Sequence, residues 1–243
     1  MLQSGSLENR LIHRVFETEK FHGETEYMLQ TLPEGRGPQA FLATQRPNWT
    51  LPVHYHLQEQ FQVVVDGAGA LGPHALAPLM VHYASREAGY GPIVAGPAGL
   101  KYLTLRAVGD VGAWYLPESR NRMRRDLRKR QVNAGPWHLS PGPELASRAA
   151  PAIETVIEPD AEGLAGWLLR LGCGQCADEP LHSGGGGRYL IVAAGAMVLN
   201  GSALPRLACT FASADERAVR IQAGAAGVEV LVLQFPGSAL RPA

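Results

Sequence analysis

Apolar and polar residues alternate with a period of two in short runs along this chain, and the runs recur. Phe61, Val63 and Val65 alternate before Asp66-Gly67, Leu79, Val81 and Tyr83 alternate before Ala84-Ser85, and Leu103 and Leu105 close the set. Such alternation, bounded by Gly, Pro, Asp and Ser, predicts half-buried strands that end in tight turns. The pattern returns at Tyr189, Ile191 and Ala193, at Leu207, Cys209 and Phe211, and at Leu231 and Leu233. One stretch departs from it. Leu7, Leu11, Ile12, Val15 and Phe16 have a helical spacing and predict a short amphipathic helix within residues 7–16.

The recurrence is an internal duplication. Displacing the sequence by 128 residues aligns Pro52–Arg106 with Pro180–Gln234 without a gap, and 18 of the 55 pairs are identical. Ala95-Gly-Pro-Ala-Gly-Leu100 falls on Ala223-Gly-Ala-Ala-Gly-Val228. A repeat of this kind means two copies of one supersecondary unit. The expected organisation is an N-terminal module over residues 1–117 with an N-terminal extension, a connector over 118–149, and a second module over 150–243.

Composition agrees with an all-β chain. There are 28 Gly and 18 Pro among 243 residues, too many helix breakers for a bundle. Charge is balanced, 22 basic against 22 acidic residues, which argues against a protein that coats nucleic acid or an anionic membrane. The balance is a cancellation, because Arg120–Arg130 holds seven basic residues and one acidic one. No aromatic platform interleaves with those arginines, so the expected partners include no nucleic acid. The longest apolar run, Leu190 to Leu199, is half of the roughly 20 residues that a membrane helix needs, and the expectation is a soluble, cytoplasmic protein with no membrane partner. Cys173 and Cys176 form C-G-Q-C, but strand-like flanks and Asp178-Glu179-Pro180 make it read as a turn that carries two thiols.

Two motifs suggest a family. His54-Tyr-His-Leu-Gln-Glu-Gln60, followed by an apolar strand that ends at Gly67, resembles the first cupin motif, and Pro97-Ala-Gly99 with Tyr102 resembles the second. The resemblance covers both repeats. It implies two tandem cupin domains, jelly-roll β-barrels, and a divalent transition metal (Fe, Mn, Ni or Zn) held by histidines and a carboxylate. Two histidines one residue apart on a strand point to the same face, here the barrel interior. By the resemblance His54 and His56 are metal ligands, with Gln60 at the carboxylate position; His82, on the strand between the motifs, supplies a further imidazole if its side chain faces inward. Gln60 replaces the carboxylate, with Glu59 beside it, and Tyr102 replaces the third histidine. The second copy keeps His182 but has Gly184, Arg188 and Val230 at the other positions, so its role reads as structural, with Arg188 left as an anion ligand.

Two functions stay open. One is a metal-dependent enzyme of dioxygenase, isomerase or lyase type, with Tyr102 as acid or hydrogen-bond donor. The other is a non-enzymatic, metal-free barrel that binds or senses a small molecule through His54, His56, Gln60 and Tyr102, with Gln62 and His82 as further candidates. In both the expected partners are a small-molecule ligand or substrate and a second copy of the chain in a homodimer.

Overall fold

The computed structural model describes residues 1–30 and 37–240. The regular structure is almost all strand, and the described residues form two compact units, residues 10–137, and residues 1–9 together with 138–240.

In the N-terminal unit an antiparallel sheet runs, from one edge to the other, through Gln131–Ala134, Val81–Ala84, Gln60–Leu71, Ile93–Arg106, Gln39–Gln45, His22–Leu29 and Ile12–Glu17. His54–Tyr55 and Trp114–Tyr115 form a separate antiparallel pair. In the C-terminal unit the order is Leu2–Gly5, Cys209–Ala212, Gly185–Leu199, Arg220–Pro236, Ala165–Leu171 and Ala152–Ile157. The offset of 128 holds at the level of single turns. His74–Leu76 maps on Ser202–Leu204 and Val81–Ala84 on Cys209–Ala212, and Leu79 and Leu207 share a left-handed backbone, φ 65° and 68°.

Two segments lie outside their expected modules. Leu2–Gly5, expected in the N-terminal module, pairs with Cys209–Ala212 of the second unit. Gln131–Ala134, expected in the connector, pairs with Val81–Ala84 of the first. Leu2 faces Ala212 as Gln131 faces Ala84, so each strand covers the same edge of its own unit. An uncovered edge would leave a row of unpaired N–H and C=O groups. The helix expected within residues 7–16 is absent: Ile12–Glu17 is a strand on His22–Leu29, and Leu11 and Val15 of its apolar stripe are 58% and 66% exposed. The basic run supplies one 3-10 turn, Arg120–Arg122, then exposed irregular chain.

Gly67 and Gly195 explain why the repeat keeps its glycines. Each has a left-handed backbone, φ 77° and 70°, at a bulge where two long strands shift register. A Cβ on Gly67 would lie 2.3 Å from the Gly99 carbonyl oxygen, and one on Gly195 2.1 Å from that of Gly227. Gly67→Ala is therefore expected to destabilise the protein by about 2 kcal/mol or more, through a backbone clash added to the left-handed penalty. Urea denaturation checks this, and a loss below about 0.5 kcal/mol would mean that the bulge relaxes freely.

Candidate functional site

The interior face of the N-terminal sheet carries Gln60, Gln62 and Val64, then His82 and Ala84, then Tyr102, Thr104 and Arg106, because alternate residues share a face. Glu59, the other carboxylate-position candidate, accepts a hydrogen bond from the Tyr83 hydroxyl at 2.6 Å. Gln60 is thus the residue that meets the histidines.

His54 is held by the backbone of a residue with no sequence signal. Its N–H donates to the Tyr90 carbonyl at 3.1 Å and the Tyr90 N–H donates back to the His54 carbonyl at 2.9 Å. Their side chains meet as well, and the donors and acceptors form a chain with one direction. Arg106 Nε and Nη2 donate to Gln60 Oε1 at 3.1 and 2.7 Å, and Gln60 Nε2 donates to the Tyr90 hydroxyl oxygen. The Tyr90 O–H donates to His54 Nε2 at 2.9 Å, and His54 Nδ1–H donates to the Pro52 carbonyl at 2.7 Å. Arg106 Nη1 also donates to Gln39 Oε1. Each link fixes the polarity of the next, so the Gln60 amide orientation and the His54 tautomer follow from one guanidinium. Burial, reinforced by His56, pushes the His54 imidazole down to about 3. Burial pushes the Tyr90 phenol up, so it remains a donor.

His56 makes a second arrangement. Its Nδ1–H donates to Asp110 Oδ2 at 2.6 Å, and Arg106 Nη2 lies 3.2 Å from the same nitrogen. Asp110 is held by the backbone N–H groups of Leu57 (3.2 Å) and Gly112 (3.1 Å). Burial raises the Asp110 carboxyl, but the His56 hydrogen bond and the Arg106 charge outweigh it and hold it below the usual carboxylate range. Burial, and after it the Arg106 charge, lowers the His56 imidazole against the opposing pull of Asp110.

His82 faces the same interior. Its Nδ1–H donates to Asn133 Oδ1 at 2.7 Å, while its buried Nε2 has no hydrogen-bond partner among the described residues. Burial lowers its pKa to about 4, so Nε2 is an acceptor. It lines a cavity of about 20 Å³ with Gln62, Tyr102, Asn133 and an apolar wall that includes Val64, Leu71, Ile93 and Met80. Gln62 and Tyr102 are also buried. A wider groove, about 300 Å³, is lined by His22, Glu24, Arg46, Asp66 and Lys101 and by none of His54, His56 and His82.

The four expected metal ligands do not fit an ion. His54, His56, Gln60 and His82 surround a tyrosine: the Tyr90 ring centroid is 4.5 Å from that of His54, 5.0 Å from His82 and 6.4 Å from His56. The lone pair of His54 Nε2 and the carbonyl oxygen of Gln60 are both taken, and the guanidinium of Arg106 stands where a carboxylate would offset the charge of an ion. Among the described residues no group of three or more His, Cys, Asp or Glu side chains is disposed to hold a metal. Tyr102, expected as acid or donor, is buried beside His82, and burial raises its phenol. Asp110 and Tyr90 had no motif to announce them.

The C-terminal counterpart is a cavity of about 170 Å³ lined by His182, Arg188, Glu216 and Gln234, and the side chains of Arg188 and Gln234 are bonded within the protein. The offset exchanges the pair, so that Gln60 and Arg106 become Arg188 and Gln234, opposite each other on neighbouring strands. Arg188 does not await an anion. Its Nε donates to Glu179 Oε1 at 2.8 Å, with Nη2 on the same oxygen, and the remaining donors reach the carbonyls of Ser213, Glu216 and Arg217. Gln234 Nε2 donates to the carbonyls of Gly163 and His182. Cys173 is an exposed free thiol in a turn, Cys176 an exposed one at the start of the strand Cys176–Asp178, and Cys209 is buried.

No protein-family model matches the chain, and no curated protein matches it. Solved structures do. Pirin YhhW of Escherichia coli, in complex with nickel(II), matches with a TM-score of 0.57 at 13% identity, over 97% of this chain and 99% of that one. Oxalate decarboxylase of Bacillus subtilis, a protein with Mn(II) centres, matches with a TM-score of 0.59 at 12% identity, over 98% and 77%. The fold is that of a two-domain cupin. Salicylate 1,2-dioxygenase of Pseudoaminobacter salicylatoxidans also matches, with a TM-score of 0.51 at 12% identity, over 82% and 71%. At these identities the likenesses show the fold alone. No helix among the described residues is long and apolar enough to cross a membrane.

Proposed function

We propose that the N-terminal barrel of this bicupin binds a small organic molecule directly, through Gln62, His82 and Tyr102, with no metal between ligand and wall. One observation carries the reading: three buried polar side chains, Gln62, His82 and Tyr102, line one cavity, and the buried Nε2 of His82 has no hydrogen-bond partner among the described residues. Buried polar groups are almost always satisfied, so an open set of this kind calls for a bound molecule or water. The chemistry asked of a ligand is a donor for His82 Nε2 and an acceptor for the protonated phenol of Tyr102, on an otherwise apolar body. The cavity as it stands takes one water-sized group, and the half-buried, flexible Met80 is the wall element that yields to a larger one.

An enzymatic version of this reading is favoured by His56. Its Nδ1–H donates to Asp110, which orients the ring as a general base requires. A thermal-shift screen of small phenols, amides and carboxylic acids tests the binding. A true ligand at 100 times its Kd stabilises the protein by about 2.7 kcal/mol. The stabilisation is expected to disappear in His82→Ala and fall at least tenfold in affinity in Tyr102→Phe. A ligand recovered unchanged supports a binding protein, and one that is converted supports the enzyme. If both variants respond as the wild type does, the cavity is not the site.

A further inference from the structure

We infer that the outer edge of Ala152–Ile157 is an interface, where the same strand of a second copy of this chain pairs antiparallel across a two-fold axis. The duplication shows that the edge is incomplete. Ala152–Ile157 stands in the C-terminal unit where His22–Leu29 stands in the N-terminal one: each pairs with the next strand of its sheet, and the register shift between Tyr27 and Leu29 recurs between Thr155 and Ile157. His22–Leu29 has a strand on its other side as well, Ile12–Glu17, which pairs from His22 to Tyr27 and stops at the bulge. Ala152–Ile157 has none among the described residues, and its sheet ends there.

The open stretch is short and fit to pair. Along an antiparallel strand alternate residues turn both backbone groups to the same neighbour. The Tyr27 carbonyl accepts from the Leu11 N–H at 2.7 Å, so Tyr27 and Thr25 face the added strand, and their equivalents Thr155 and Ile153 face the open edge. Ile153, Glu154 and Thr155 are exposed, Ile153 by 55%. Open edges are usually blunted by Lys or Pro within the strand. This one has neither, and its one charge, Glu154, is paired with Arg170 at 2.7 Å.

The partner that fits is the strand's own copy. Outward residues must face outward residues, so the two-fold axis passes through Ile153, Glu154 or Thr155. An axis at Glu154 sets two carboxylates opposite each other, and one at Thr155 runs the pairing across the bulge. An axis at Ile153 does neither. It joins the Ile153 N–H and C=O to those of the second copy and covers the exposed isoleucine with its twin. The Thr155 N–H then donates to the carbonyl of the second copy's Pro151, a residue that has no N–H to offer. Such an isologous contact closes after two copies. Confined to residues 152–155, it buries little surface, so the dimer is weak and depends on concentration.

Sedimentation velocity of the full-length wild type, from about 5 to about 500 µM, is expected to show the mass rising toward two copies. Ile153→Pro is expected to remain a single chain throughout. The Ile153 N–H points away from Ala165–Leu171, so proline there removes the contact without removing a bond of the sheet. A second variant does not depend on proline being tolerated: Ile153→Cys in a Cys173→Ser/Cys176→Ser background, treated with oxidised glutathione. Facing Cα atoms in such a pair lie about 5.5 Å apart, within disulfide reach, so an interchain disulfide is expected. Val111→Cys in the same background, at a position 82% exposed, is expected to stay uncrosslinked at the same concentration. Three results would each overturn the interface: a wild type that stays a single chain at the highest concentration, an Ile153→Pro variant that dimerises as the wild type does, or an Ile153→Cys variant that crosslinks no faster than Val111→Cys.

Discussion

Glu179→Ala is expected to lower the stability of the C-terminal unit by about 3–5 kcal/mol, the cost of leaving one member of a buried ion pair without its counter-charge. The pair is wholly internal: the side chains of Arg188 and Glu179 are 3% and 0% exposed. Alanine removes the acceptor for two guanidinium donors and for the Val219 N–H together. The three carbonyls on Arg188 keep the cation in place, so it cannot swing out to water. At about 4 °C or more per kcal/mol for a unit of this size, the first thermal transition is expected to fall by more than 10 °C. The double replacement Glu179→Leu/Arg188→Met removes both charges and is expected to recover most of the loss. A Glu179→Ala midpoint within about 1 °C of the wild type would show that solvent reaches the pair.

The exchange of Gln60 and Arg106 for Arg188 and Gln234 shows how far a sequence offset carries. The duplication was legible because strands and turns are local: a period of two and a left-handed glycine specify Gly67 and Gly195 alike. The placement of Gln62 and His82 on one face, away from Val81 and Tyr83, followed from the same alternation. Other features depend on partners far along the chain. Leu2–Gly5 bonds to a strand about 200 residues away, and nothing in four residues names that edge. Asp110 meets His56 across 54 positions, with no spacing rule to connect them. Tyr90 sits in Gly89-Tyr-Gly-Pro92, which reads as a turn, and its role arises only when the chain reversal brings it onto His54. The metal assignment drew on His54, His56 and Gln60 as a motif, and a motif records which side chains converge without recording what already fills the space between them.

Acid lability that begins near pH 6.5 is the second large effect. His54 and His82, at about 3 and about 4, are neutral in the folded protein well below the usual histidine pKa of about 6.5. Below pH 6.5 the unfolded chain takes up protons that the folded barrel refuses, so the unfolded state binds more protons and stability rises with pH. Their contribution is therefore fully present above pH 6.5 and is lost as the pH falls from 6.5 toward 4. Each histidine costs about 1.4 kcal/mol per pH unit once the unfolded state is protonated, so the pair removes roughly 2 kcal/mol between pH 6.5 and 5.5. Asp110, depressed by His56 and Arg106 against its burial, adds a loss of the same sign at lower pH, below the ordinary carboxylate range. Urea midpoints at pH 7.5, 6.5, 5.5 and 5.0 measure the slope, and His54→Asn/His82→Asn supplies the comparison, since an amide keeps hydrogen-bonding capacity without a titration. The wild-type curve is expected to fall toward that of the variant as the pH drops. Parallel curves would mean that the two rings take up protons in the folded state, in which case the directed chain from Arg106 through Tyr90 to the Pro52 carbonyl does not persist in solution.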